Sequence, residues 1–87
     1  MKIVTIGRKG ANIVIEDDSV SRQHAELTLT KDGRYYLVDC GSSNGTEVKN
    51  GSAWKPIKQE FVRDEDEVRF AGRHQMTIRD LVQRSRT

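Results

Sequence analysis

The 87-residue chain has little of what staples, kinks or anchors a small protein: one cysteine, Cys40, one proline, Pro56, and one tryptophan, Trp54. A lone cysteine excludes an intrachain disulfide and makes a reducing compartment, the cytoplasm, the simpler setting. No apolar run is long enough to span a bilayer, and Met1-Lys2-Ile3 leads into strand-like sequence without a secretory signal, so no membrane contact is expected. Neither sign of charge dominates: 15 Lys and Arg against 13 Asp and Glu leave a net +2. So small a surplus does not argue for nucleic acid, and Arg79, Arg84 and Arg86 near the end read as solubilising. His24, His74 and Cys40 lack zinc-like spacing, so neither a metal nor another cofactor is expected. No segment carries a helical stripe.

What is present is a series of short apolar clusters separated by turn residues. Ala25 to Thr30 alternates apolar and polar, which sets Ala25, Leu27 and Leu29 on one face of a strand. Further β-prone clusters are Ile3–Ile6, Ile13–Ile15, Tyr35–Val38, Thr46–Val48, Trp54–Ile57, Val68–Phe70 and Met76–Leu81. Asp32-Gly33 marks a hairpin, Asn50-Gly51 a turn, and the acidic stretch Glu60–Glu67 a solvated loop. Short strands at such spacing predict an all-β, antiparallel sandwich of two twisted sheets, with the domain at 1–82 and a polar tail at 83–87. Trp54 is read as a core anchor. A chain this short buries roughly 60 to 65% of its unfolded surface, enough for a thin two-layer core, which places any site on surface loops.

Two strings carry the chemistry. Gly7-Arg8 follows the first apolar cluster, and Ser21-Arg22-Gln23-His24 lies one turn-rich segment later. Arginine offers a planar fork of donors that matches phosphate oxygens, and serine adds a compact neutral donor. Ser21, His24 and Asp39 invite a triad reading, but a nucleophile and base three residues apart in an extended segment seldom align, and no oxyanion hole is visible. Asn44-Gly45 is a favoured turn dipeptide, and Asn44-Gly45-Thr46 also matches a glycosylation acceptor, taken as coincidence in a chain with no secretory signal. The residues thus describe a binder, not an enzyme.

Three blocks in order, Ile6-Gly7-Arg8, Asp17 through Ala25 and Leu37 through Thr46, closely resemble the forkhead-associated (FHA) domain. The resemblance implies a β-sandwich whose loops at one end bind phosphothreonine in an extended peptide. It implies Arg8 and Ser21 as the main phosphate ligands, Arg22 and Ser43 as helpers, and Asn44 as a partner of the peptide backbone. Ser19 falls where the family reads the third residue after the phosphothreonine, and Gly7, His24 and Gly45 support the site. The partner is then a threonine-phosphorylated protein in serine/threonine-kinase signalling. Three departures stand out: only Met1–Ile6 precede the Gly-Arg loop, where the family carries about two more strands; Glu65 replaces a turn glycine; and Glu47 replaces a common aromatic. An uncovered sheet edge left by shortened leading strands would suit a homo-oligomer. The competing reading is a structural or oligomerisation domain that keeps the fold without using phosphate.

Overall fold

The computed structural model describes residues 2–86, so Met1 and Thr87, at the two ends of the expected domain and tail, lie outside the described residues. Nine strands run in chain order: β1 Lys2–Gly7, β2 Ile13–Val14, β3 Ala25–Leu29, β4 Tyr35–Asp39, β5 Thr46–Asn50, β6 Ala53–Ile57, β7 Gln59–Val62, β8 Glu67–Phe70 and β9 His74–Thr77, followed by helix α1, Ile78–Arg84. They form a five-stranded sheet of order β2-β1-β3-β4-β7 and a four-stranded sheet of order β6-β5-β8-β9. All pairings are antiparallel except β1 with β2, where Ile6 and Gly7 lie beside Ile13 and Val14.

Alternation builds the core. Val4, Ile6, Leu27 and Leu37 from the first sheet meet Val48, Ile57, Val68 and Phe70 from the second, all buried. The expected hairpin forms at Thr30–Arg34, where Gly33 takes a positive φ and the Thr30 hydroxyl bonds Asp32 and the Arg34 carbonyl. Lys58 alone separates β6 from β7, so the chain crosses from one sheet to the other almost without a loop.

Three local expectations are corrected. Gln59–Val62 is a strand rather than the start of a solvated loop, because Val62 is buried and Phe61 pairs with Tyr36 on β4. Met76–Leu81 is not one strand: it turns helical at Ile78. Thr77 caps that helix, its hydroxyl accepting the Asp80 amide at 3.1 Å while the Asp80 carboxylate accepts the Thr77 amide at 3.2 Å. Trp54 is not a core anchor; half-buried on the outer face of the second sheet, it lies under the Arg69 guanidinium at 4.5 Å.

The departures from the family pattern also find their places. α1 directs Ile78, Leu81 and Val82 into the core, and its first amides bond back to the 63–66 turn, Ile78 N–H to Asp66 C=O and Arg79 N–H to Asp64 C=O. The helix therefore adds apolar cover at the end of the sandwich away from Arg8 and Ser21. Glu65 needs no glycine, since the turn closes through Asp66 bonds to Arg63 without a positive φ at that position. Glu47 pairs with Arg69 at 2.8 Å on the outer face of the second sheet.

Candidate functional site

The loops after β1, before β3 and before β5 meet at one end of the sandwich. Their meeting is fixed first by Gly7. A Cβ there would stand 1.8 Å from the Arg22 carbonyl oxygen, so only glycine lets the 21–24 segment cross β1 this closely. The Arg8 amide then donates to the Ser21 carbonyl and the His24 amide to the Ile6 carbonyl, each at 3.0 Å.

Arg8 is half-buried, and its Nε donates to the Val20 carbonyl at 3.0 Å. That bond lays the guanidinium along the Val20–Ser21 backbone, and among the described residues its Nη donors make no hydrogen bond or ion pair. Ser21 is held on three sides. Its amide donates to His24 Nδ1 at 3.1 Å, its carbonyl accepts from Arg8, and its Oγ accepts the Ser43 amide at 3.1 Å. The hydroxyl proton alone is left to donate outward.

His24 is fully buried and packs edge-on against Phe70, with ring centroids 5.6 Å apart. Because the Ser21 amide can only donate, Nδ1 must accept; because the Gly45 carbonyl can only accept, Nε2, 2.8 Å away, must donate. The ring is thus a neutral tautomer that joins the Ser21 and Gly45 loops. Both nitrogens are spent on backbone groups, so the Ser21–His24–Asp39 constellation has no general base.

Asp39 builds the third loop. Oδ1 accepts the hydroxyls of Ser42 at 2.6 Å and Thr46 at 2.7 Å, and Oδ2 accepts the Ser42 amide at 3.0 Å. Burial opposes ionisation of this carboxylate, but these hydrogen bonds outweigh it and hold its pKa below the usual range. The Ser42 hydroxyl in turn accepts the Gly45 amide at 2.9 Å, and Gly45 takes a φ of 85° that a side chain would resist. Ser43 and Asn44 are left exposed at the tip.

Asn44 reaches across to donate from Nδ2 to the Ser19 carbonyl at 2.7 Å, which leaves its side-chain carbonyl facing solvent. The Ser19 hydroxyl is already committed to Asp17 Oδ1 at 2.6 Å, and the Ser19 amide bonds the same oxygen at 2.8 Å. Those bonds from Ser19, with His74 Nε2 on Asp17 Oδ2 at 2.8 Å, keep the Asp17 carboxyl far below the ordinary range. The β8–β9 hairpin is thereby tied to the Ser19–Ser21 loop. Sequence reasoning gave Asp17, Ser42, Thr46 and His74 no part in the site; the Asp39-x-x-Ser42 spacing, suited to a side-chain-closed turn, is the signal that could have found part of this set.

Arg8, Ser21 and Ser43 are therefore brought together, and Asn44 with Ser19 lies beside them. Arg22 is not drawn into this cluster: it is exposed and, with Gln23, lines a separate niche of about 120 Å³ beside Glu26 and Cys40. Open grooves flank the cluster on both sides, one of about 490 Å³ running from Arg8 to Asp18, the other of about 480 Å³ along Ser42–Thr46 to Lys58. An extended peptide fits this layout better than an enclosed small molecule does. Among the described residues no cluster of His, Cys, Asp and Glu could hold a metal, and no helix is long and apolar enough to cross a membrane.

Comparison with known proteins gives the same architecture. The glycogen accumulation regulator GarA of Mycolicibacterium smegmatis is 37% identical over 60 residues, 69% of this chain and 35% of GarA. An FHA domain solved in work on phosphothreonine-dependent FHA interactions superposes with a TM-score of 0.69 at 31% identity, over 80% of this chain and 69% of that one. EmbR of Mycobacterium tuberculosis, in complex with a low-affinity phosphopeptide, gives a TM-score of 0.72 at 29% identity, over 86% of this chain and 19% of EmbR. The chain thus spans about a third of GarA and a smaller share of EmbR. The FHA domain model matches residues 4–71, and the chain belongs to the FHA domain family.

Proposed function

We propose that this domain is a phosphothreonine-reading module in serine/threonine-kinase signalling, and that it binds its target without chemical change. The observation that carries the reading is the convergence of Arg8 and Ser21. The Arg8 guanidinium is pinned to the Val20 carbonyl, next to a serine whose one uncommitted group is a hydroxyl proton. In this reading the Arg8 fork and the Ser21 hydroxyl hold the phosphate, the Ser43 hydroxyl adds a third donor, and exposed Arg22 swings in to help. The Asn44 side-chain carbonyl accepts from the peptide backbone, and the Ser19 loop meets the third residue after the phosphothreonine.

The magnitudes suit reversible signalling. A phosphate carries about −1.5 to −2 charge at neutral pH, and each charge-assisted hydrogen bond contributes roughly 1.5 to 3 kcal/mol before ordering costs. Three such bonds, less the cost of immobilising a flexible peptide, give micromolar affinity. Preference for threonine over serine gains only roughly 0.8 kcal/mol, about fourfold, from one buried methyl. The restricted rotamers of threonine add to it.

The partner is a threonine-phosphorylated protein rather than nucleic acid or a membrane, and the exposed free thiol of Cys40 suits the cytoplasm. Titration with matched peptides tests the reading. The phosphothreonine peptide should bind at micromolar concentration and Arg8→Ala should weaken it by at least ~2 kcal/mol. Equal affinity for the unphosphorylated peptide would sink the proposal and leave the structural reading standing.

A further inference from the structure

The two outer faces of the sandwich are finished in opposite ways. On the four-stranded sheet, Arg69 pairs with Glu47 at 2.8 Å and covers Trp54, while Glu67 receives Lys49 at 3.5 Å and Gln75 at 2.7 Å. That face is a closed ladder of polar contacts. On the five-stranded sheet the registers place Ile3, Thr28, Tyr36 and Phe61 side by side in one row across β1, β3, β4 and β7. Ile3 and Phe61 are each 50% exposed, and Val14, 47% exposed, stands on β2 of the same sheet; these are the exposed large apolar side chains among the described residues. Exposed apolar side chains aligned in one row, Ile3 and Phe61 at its two ends, suit an interaction surface.

The charges around the row say what covers it. Two residue pairs toward the phosphate loops, on the same face, lies Glu26 on β3, opposite Val38; two positions the other way lies Arg34, just before β4, its guanidinium 3.9 Å from the Phe61 ring centroid. Neither forms an ion pair among the described residues. A carboxylate on one side of an apolar row and a guanidinium on the other make this part of the face complementary to itself. A two-fold axis laid along the row sets each apolar side chain against its own copy. It also brings each Arg34 over the partner's Val38 and Glu26 strands, so the charges meet twice.

We infer that the outer face of the five-stranded sheet is a self-association surface, on which two copies of this chain pack sheet against sheet through Ile3, Tyr36 and Phe61, with Arg34 of each copy facing Glu26 of the other. The pairing uses the face of the sheet rather than an edge. It leaves the two Arg8–Ser21 sites open at opposite ends of the dimer, and it stands independently of whether those sites take phosphate.

Sedimentation velocity over a concentration series up to about 0.5 mM tests it, the range in which small, transient interfaces assemble. The wild-type chain should pass from monomer to dimer, and Phe61→Lys should remain monomeric throughout. Arg34→Glu should dimerise at least ~10-fold more weakly, the factor that about 1.4 kcal/mol supplies, and adding Glu26→Arg to it should restore the dimer. A wild-type chain that stays monomeric at every concentration overturns the inference, as does a Phe61→Lys variant that dimerises as tightly as wild type. Phosphopeptide titration of monomeric Phe61→Lys keeps the two readings apart, because its affinity should be unchanged.

Discussion

The Ser21 hydroxyl oxygen accepts the amide proton of Ser43 at 3.1 Å, joining two loops that lie 22 residues apart in sequence. One hydroxyl thus positions the third loop and, in the proposed complex, donates to the phosphate. Ser21→Ala removes both effects, whereas a serine acting only on phosphate would be worth a single hydrogen bond.

Ser21→Ala should therefore weaken a phosphothreonine peptide by about 2 to 3 kcal/mol, the upper end for a bond to a charged group, with little change in folding. Calorimetric titration beside a urea melt reads both quantities. A loss of affinity no larger than that of Ser43→Ala would show that the bridge to the Ser43 amide has no bearing on binding.

Gly7→Ala acts on the same crossing from the other side. The added methyl would meet backbone, the Arg22 carbonyl oxygen at 1.8 Å, and backbone cannot swing away as a flexible side chain does. The variant should lose roughly 3 kcal/mol or more of stability, at or above the usual range for overpacking. Gly10→Ala gives the contrast: that residue has a positive φ of 69° but open space around it, so only the conformational cost of about 1 kcal/mol applies. Urea denaturation of the pair should separate crowding from φ preference.

Much of this was legible because period and punctuation agree. Ala25–Leu29 alternates, Gly33 sits at the hairpin, and the Gly-Arg, Ser-Arg-x-His and Ser-Ser-Asn-Gly strings survive as contiguous loops. What stayed hidden depends on distant partners. Gln59–Val62 looked like acidic loop because Gln59 and Glu60 open it and Phe61 is exposed, while the single buried Val62 is too brief a pattern to read. His74 could not be matched to Asp17, 57 residues away, without the hairpin that carries it. Trp54 was misplaced because composition puts tryptophan inside, whereas an arginine from the neighbouring strand shelters it outside. The helix was missed for a different reason: seven residues give too short a stripe, and its start signal, Thr77-x-x-Asp80, lay inside a β-branched cluster.

That start signal can be measured. Thr77→Ala removes the acceptor for the Asp80 amide and should cost about 1 kcal/mol in urea denaturation. Leu81→Ala, from the buried face of the same helix, should cost about 2 to 5 kcal/mol. If α1 were a loosely attached tail, both variants would unfold at the wild-type midpoint.

Acid should loosen the loops at the binding end. Hydrogen bonds from Ser19 and His74 lower the pKa of Asp17, and for Asp39 those from Ser42 and Thr46 overcome the opposing effect of burial. Both carboxyls therefore hold protons less tightly when folded than in the unfolded chain, whose ordinary value is 3.8. The sign follows: acidification favours the unfolded chain, so the stability these groups contribute is complete above about pH 4 to 5 and drains away as pH falls through the depressed folded values. Thermal melts should then show midpoints dropping steeply below about pH 4. Asp39→Asn keeps the shape but loses the charge, leaving the hydroxyls of Ser42 and Thr46 with a weaker acceptor. It should cost about 1 to 3 kcal/mol at neutral pH and flatten the acid limb. An Asn variant whose melting midpoint falls with acid as steeply as wild type would assign that limb to other carboxylates and strip Asp39 of its role in holding the Ser43 loop.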